Sequence, residues 1–389
     1  MQSGRFVFSQ LMDFIPRYEF NKCVQRYRGN YRMRTFSCYD QFLCMAFGQL
    51  TGRDSLRDVV LNLSAHQSKL FHLGIRGRVA RSTLADANER RNWRIFADFA
   101  QVLIAEARRL YADDDIGIDV TNTVYALDSS TIDLCLSLFP WAPFQKTKSA
   151  IKLHTLLNLR GNIPEFIRIS SGKEYDARVV DFLPLTPGAI YVMDRGYLHF
   201  KRLYHIHQQA AYFITRAQKD FRFQRQQSHR VDKVTGLRFD QRIKTYNHKI
   251  RTTYPEPLRR IGYRDPKTNK RLVYLTNNFT LPALTIAQLY KARWEIELFF
   301  KWIKQHLHIK SFYGISENAV KTQIWIAACV YILIAIVKKH LGLEQSMYTI
   351  LQIASLALFE KTPILQAFSQ HECPDSDTST CNQLELFDF

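Results

Sequence analysis

"NTVYALDSSTIDLCLSLF" (residues 122–139) opens as a β-branched and aromatic run and turns polar at Asp128. Such a short apolar run, bounded by polar residues, reads as a strand that leaves its sheet at a carboxylate. The same character recurs in "AIKLHTLLNL" (150–159), "PEFIRISS" (164–171), "GAIYVMDRGY" (188–197) and "AAYFITRAQKD" (210–220). Asp194 follows its apolar run as Asp128 does, and Gly196 permits a sharp turn after it.

The first three strands are closely spaced and predict an antiparallel meander. "ARVVDFLPL" (177–185) and "YLHFKRLYHIHQQ" (197–209) read as helices before and after the strand that ends at Asp194. Three strands, helix, strand, helix, strand is the order of a ribonuclease-H-like α/β core, expected over residues 111–220.

Residues 1–110 are predicted to be all-α. "YDQFLCMAFGQL" (39–50), "SLRDVVLNLSAHQSKLFHL" (55–73) and the stretch 83–112 carry apolar residues at helical spacing. The arginine-rich turn "GIRGRVARS" (74–82) separates the last two, and Ser82 is placed to cap the next helix. This is a helix-turn-helix-like pattern, with Arg76, Arg78, Arg81, Arg90 and Arg91 expected on DNA phosphates or base edges. The plainer reading is a bundle with ordinary charged faces. The 18 Lys plus Arg against 9 Asp plus Glu in this region favour DNA.

The whole chain of 389 residues has a formal net charge of +19, a self-repulsion that a polyanionic partner relieves. The charge peaks between residues 216 and 275, with 17 Lys plus Arg against 5 acids. This stretch, expected as a β-rich insertion over 221–282, interleaves Tyr246, Tyr254, Tyr263 and Tyr274, a pattern suited to backbone binding with base stacking.

Seven scattered cysteines without CxxC spacing argue against a disulfide framework or zinc site and for a reducing compartment. The N-terminus lacks the apolar core of a secretory signal. The run "IWIAACVYILIAIV" (324–337) is shorter than the roughly 20 residues that span a bilayer, and is expected as a buried helix, with no membrane partner. A helical C-terminal region is expected over 346–389, its end acidic and in part mobile.

"YKARWEIELFFKWIKQHLHIK" (290–310) is the remaining decisive stretch, in the segment 283–345 that closes the core. On a helical wheel Tyr290, Arg293, Glu297, Lys301, Lys304 and His308 fall within an arc of roughly 80°. Leu289, Ala292, Ile296, Phe299, Phe300, Ile303 and Leu307 lie on the other side, for packing on a sheet. Trp294 and Trp302 flank the polar arc and are expected to pack. Glu297 is the one acid among the cations. With Asp128 and Asp194 it makes three carboxylates on separate elements, which is what two-metal phosphoryl transfer requires, with two Mg²⁺ about 3.5 to 4 Å apart. Taken singly, a strand-end Asp is more often a turn former, and a Glu beside Arg and Lys is commonly a surface ion pair. His154 and His308 are left outside the site.

The spacing Y-x2-R-x3-E-x6-K at Tyr290, Arg293, Glu297 and Lys304 resembles the signature of bacterial insertion-sequence DDE transposases. "ALDSST", "VMDRGY" and "YFITRAQKD" resemble the strands of that group that carry the first and second aspartate and the strand after them. The resemblance implies that Asp128, Asp194 and Glu297 hold two Mg²⁺, with Mn²⁺ as a substitute. It implies cut-and-paste transposition: cleavage at terminal inverted repeats, then strand transfer into target DNA. Tyr290, Arg293, Lys301, Lys304, Arg195 and Arg216 would contact DNA around the carboxylates. The partners implied are double-stranded transposon ends and target DNA, and a second protomer in a synaptic complex, within the bacterial cytoplasm at the nucleoid. A group hairpin step uses a tryptophan of the insertion, whereas this chain has none between Trp141 and Trp294. The readings from other classes are a non-catalytic DNA-binding regulator and a ribonuclease-H-like nuclease without transposition.

Overall fold

The computed structural model describes residues 4–246, 248–306 and 312–369. The N-terminal helices are α1 (Val7–Met12), α2 (Arg17–Arg26), α3 (Cys38–Leu50), α4 (Leu56–Ala65), α5 (Arg81–Arg90) and α6 (Arg94–Leu110). Then follow β1 (Val124–Leu134), β2 (Pro143–Gln145), β3 (Lys148–Asn158), β4 (Ile163–Ser171), β5 (Ile190–Met193), α7 (Phe200–Gln208) and β6 (Tyr212–Arg216). The basic stretch forms β7 (Phe223–His229), β8 (Leu237–Thr245), α8 (His248–Thr253), β9 (Leu258–Arg264) and β10 (Arg271–Thr276). The chain continues as α9 (Ala283–Ala292), α10 (Trp294–His306), α11 (Glu317–His340), α12 (Met347–Ala357) and α13 (Ile364–Ser369).

Among the described residues the strands form one sheet, in the order β2-β3-β1-β5-β6-β10-β9-β8-β7, with β4 also paired to β3. The meander β1, β3, β4 is antiparallel, and β5 and β6 join β1 in parallel. This is the ribonuclease-H-like arrangement with helices before and after it. The basic hairpins do not stand apart from the core: β10 pairs antiparallel with β6, so the insertion continues the same sheet.

Period-two alternation divides the sheet residues between two cores. Val124, Ala126, Ile190, Val192 and Ile214 face the larger cluster, shared with α9, α10, α11 and the N-terminal helices. Tyr125, Leu127, Tyr191, Met193 and Phe213 face the smaller one, shared with α7 and the 3-10 segment Asp176–Phe182. That segment is where sequence spacing predicted a helix over 177–185; its tighter winding closes against Pro184.

α11 threads the larger core against α3, α5, α6 and α12. By length and composition it is the one described helix able to cross a membrane, and its most apolar window is 94% buried inside the protein. At its N-terminal end Ser316 caps it, and Lys338, Lys339 and His340 complement the dipole at its last turn.

Three local expectations change. The helix foreseen over 55–73 stops at Ala65 and gives way to two 3-10 turns, so the link to α5 is longer than a helix-turn-helix turn. Ser82 lies inside α5, whose N-cap is Ala80, with no side-chain cap. Tyr254 and Tyr274 are buried core residues, which leaves Tyr246 and half-buried Tyr263 for stacking. The five described cysteines are unpaired. His308, Leu307 and the acidic tail, with Cys373 and Cys381, lie outside the described residues.

Candidate active site

β1 continues to Leu134, so Asp128 lies within a strand and not at its end. What ends there is the pairing with β5: the last register pair is Leu127 with Met193. Asp128 and Asp194 therefore occupy the next position of two adjacent parallel strands. Both follow the alternation of Val124–Ala126 and Ile190–Val192, so both face the α9–α10 side. Asp194 also caps a 3-10 turn, its Oδ1 accepting from the Gly196 amide at 2.7 Å.

The predicted long helix is two helices. The residue between them, Arg293, keeps a helical backbone while its amide donates to Tyr290, and α10 starts anew at Trp294. Both halves bury the expected apolar arc, with Leu289, Ile296, Phe299, Phe300 and Ile303 in the core. α10 lies on β1, which brings Glu297 to the sheet's carboxylates.

Arg293 joins two of the three acids. Its Nη1 donates to Asp128 Oδ2 at 2.8 Å and its Nη2 to Glu297 Oε1 at 2.5 Å. Burial pushes the Asp128 carboxyl up to about 6, and the charges of Asp194 and Glu297 add to it; the Ser129 amide and Arg293 oppose the rise. A position where negative charge is this crowded accepts a cation. All-carboxylate oxygen donors suit a hard divalent ion. Among the described residues no three His, Cys, Asp or Glu side chains are gathered closely enough to hold one ion together. Arg293 stands between Asp128 and Glu297 as the counter-charge.

The remaining predicted residues surround this point. A cleft of about 320 Å³ is lined by Asp128, Ser129, Ser130, Glu297, Lys301 and Lys304. Lys301 is exposed, and Lys304 ties α10 to β1 by donating to the Thr131 carbonyl at 2.7 Å. Arg195 and Arg216 are exposed beside Asp194, at the tops of the β5 and β6 strands. Tyr290 is buried against Tyr274, ring centroids 4.8 Å apart; burial raises its hydroxyl's pKa, with Arg293, Arg216 and Asp194 all acting on it. A second groove of about 780 Å³ is walled by Arg216, Tyr263, Tyr290, Lys291, Arg293 and Trp294. Trp294, expected to pack, is 57% exposed because it opens α10 on the solvent side of the break, while Trp302 is buried as foreseen.

In the N-terminal region Arg76, Arg78, Arg81 and Arg90 are exposed. Arg91 is not: its guanidinium donates to Ser37 O at 2.8 Å, Gln41 Oε1 at 3.1 Å and Phe36 O. Those bonds secure the entry to α3 and use the donors that a phosphate contact needs, which corrects the expectation for Arg91.

Sequence reasoning missed a bracket under the carboxylates, formed by residues 174–176 on the opposite face of the sheet. Asp176 Oδ1 accepts from Ser129 Oγ at 2.7 Å and from Lys152 Nζ at 2.9 Å. Lys152 Nζ also donates to Glu174 O at 2.9 Å, and Tyr175 OH donates to Gly196 O at 3.3 Å. Ser129 in turn gives its amide to Asp128 Oδ1 at 2.8 Å. Asp176 and Tyr175 thus hold the chain beside the two aspartates, and Glu174 secures Lys152 behind them. No local pattern announces them, because the contacts span more than 20 residues. His154, left out of the site, is buried with Nε2 on Ser170 Oγ at 2.8 Å, its Nδ1 without a partner among the described residues, and burial lowers it to about 4.

Residues 3–76 match the model "Domain of unknown function (DUF4372)", and residues 121–333 match "Transposase DDE domain". The transposase y4zB of Sinorhizobium fredii is 30% identical over 284 residues, 72% of this chain and 78% of that protein. The transposase for insertion sequence element IS5377 of Geobacillus stearothermophilus is 28% identical over 54% of this chain and 55% of its own length. A solved piggyBac transposase synaptic complex with hairpin DNA aligns over 95% of this chain and 81% of its own, at a TM-score of 0.45 and 11% identity. The matched domain spans more than half of the chain, including both strand aspartates and the glutamate helix: the protein belongs to the DDE transposases of insertion sequences, enzymes that cut and join DNA.

Proposed function

We propose that this transposase moves its element by cutting at terminal inverted repeats and joining the freed ends to target DNA, with Asp128, Asp194 and Glu297 as its three catalytic carboxylates. The observation that carries this reading is the shared register position of Asp128 and Asp194 on the face that α10 covers, with Glu297 linked to Asp128 through Arg293. Two Mg²⁺ ions, for which Mn²⁺ substitutes, are the cations the three carboxylates would hold. When bound they supply Lewis-acid activation of the attacking oxygen and charge neutralisation at the scissile phosphate.

The chain's own side chains do the rest. Arg293, freed from Asp128, offers a two-pronged contact to a phosphate, and Lys301, Arg195 and Arg216 hold the strand on either side. Lys304 fixes α10 on β1 while lining the cleft. Tyr290 buttresses Arg293 from beneath. Trp294 and, from the insertion itself, Tyr263 stand on the wall of the larger groove, and a base unstacked during hairpin formation would rest on their aromatic faces. Residues 1–110, with Arg78, Arg81 and Arg90, grip the duplex, and the sheet extension over 221–282 adds a basic surface. Two protomers pair the two element ends in a synaptic complex.

The test uses DNA flanking the reading frame as substrate. The protein, incubated with labelled end duplexes and Mg²⁺, should cut at the element boundary and transfer the 3′ ends into a plasmid. Asp128→Asn, Asp194→Asn and Glu297→Gln should each lower cutting by at least about a thousandfold with binding intact, as loss of charge stabilisation at a phosphoryl centre does. Normal cutting by any one of the three removes it from the site; cutting without transfer by the unaltered protein makes it a nuclease.

A further inference from the structure

We infer that the ordered loop between α2 and α3, residues 27–37, is a second clamp on the phosphate backbone of duplex DNA, built on arginines that the backbone itself disfavours. The inference rests on DNA being the substrate. Between Arg17 and Arg34 six of 18 residues are Lys or Arg against one acid, Glu19. Lys22 and Arg26 are spoken for, by Glu19 and Asp98. Arg28, Arg32 and Arg34 are exposed and, among the described residues, pair with no acid.

The backbone points the same way. α2 ends in a Schellman motif, with Gly29 N donating to Val24 O at 2.9 Å and Arg28 N to Gln25 O at 3.0 Å. The left-handed residue of that motif is Arg28, at φ +50°, where glycine is the unstrained choice. Glycine stands one place later instead, where a Cβ would meet Ile95 Cδ1 at 2.5 Å and Cys38 Sγ at 2.7 Å. Arg32 repeats the pattern at φ +54°. An exposed side chain that fills no core does not earn such a position by packing; its charge is the property left to explain it. Turn bonds from Tyr31 N to Arg28 O and from Met33 N to Asn30 O, with Asn30 Oδ1 accepting from Cys38 N at 2.8 Å, hold the loop in shape before any partner arrives. Preorganisation lowers the ordering cost of binding.

The loop does not act alone. Its Thr35 and Phe36, with Asp40 of α3, line a concavity of about 330 Å³ whose other wall is Ile75, Arg76, Arg78 and Thr83; the Asp40 carboxylate is engaged by the Ser37 amide at 2.7 Å. Tyr31, 67% exposed, carries Arg32 at 5.2 Å over its ring. Two basic segments far apart in sequence thus flank one hollow. Because the cations sit on turns and not on a helix presented to a groove, the contact they fit is sequence-independent and to phosphate.

The experiment compares the full chain with Arg28→Gly/Arg32→Gly by fluorescence anisotropy, on a duplex bearing the element end and on an unrelated duplex of equal length, between 0.05 and 0.3 M salt. Glycine relieves both left-handed positions, so the melting temperature should hold or rise. The expected result is binding weaker by about tenfold on both duplexes, and a slope of log affinity against log salt shallower by about two. An unchanged slope overturns the clamp, and so does a loss confined to the end duplex, which would mean base reading. Cutting by the unaltered protein is scored in parallel. If it cuts while the variant's slope is unchanged, the clamp fails and the transposase mechanism stands. If it never cuts but the slope falls, the catalytic assignment fails and the clamp stands.

Discussion

Arg293 Nη1 lies 2.8 Å from Asp128 Oδ2, in a side chain only 14% exposed, and its other Nη holds Glu297. In the absence of a divalent ion the guanidinium is the charge that lets these acids share one site. Arg293→Ala should therefore destabilise the metal-free protein by about 2 kcal/mol, less than for a fully buried pair because Glu297 keeps some solvent. Added Mg²⁺ should restore more stability to this variant than to the unaltered protein, as read by thermal melts with and without the ion. Equal Mg²⁺ responses would show that the arginine does not stand where the cation goes.

The bracket of residues 174–176 predicts a kinetic signature. Ser129→Ala and Asp176→Asn should each lower the single-turnover cutting rate by about tenfold, since a small misplacement of a catalytic carboxylate is felt in the rate. Affinity for the end duplex should not change. A parallel loss of binding and rate would mark a general folding defect instead.

His154 sets a pH limit on stability. Its folded pKa, about 4, lies below the ordinary 6.5 because burial penalises the charged ring. A depressed folded pKa gives stability that is complete above pH 6.5 and is lost as pH falls toward 4. The contribution is about 2–3 kcal/mol across that window. Denaturant melts at pH 7 and pH 4.5 should show a smaller drop for His154→Asn than for the unaltered protein; the same drop in both would clear His154 of this role.

Arg259 and Asp240 form a buried bidentate pair, each side chain 8% exposed, with Nε to Oδ1 at 2.9 Å and Nη2 to Oδ2 at 2.8 Å. Arg259 Nη1 also donates to Leu281 O at 2.6 Å and Asn278 O at 3.2 Å, which anchors the turn that leads into α9. Asp240→Asn should cost about 3–5 kcal/mol by leaving the arginine uncompensated. Replacing both by Met and Leu should restore most of the stability but less of the cutting rate, because the turn loses its anchor. Full recovery of both would make the pair dispensable to the site.

Much of this was legible in the sequence because it is local. Alternation of apolar residues fixed the strands, helical spacing fixed the buried arc of residues 289–303, and the order of elements indicated the core to which Asp128, Asp194 and Glu297 belong. What the sequence could not determine depends on pairing between distant segments. Only the β1–β5 register decided that Asp128 and Asp194 share one level and one face, since a slip of one residue would turn one of them into the opposite core. Only packing showed that the helix breaks at Arg293, which aims its guanidinium at two acids, and that Trp294 is thereby left in solvent. Arg28 and Arg91 look alike in the chain; the fold spends the donors of Arg91 on the entry to α3 and leaves those of Arg28 outward, because side-chain partners are assigned by tertiary contact and not by residue type.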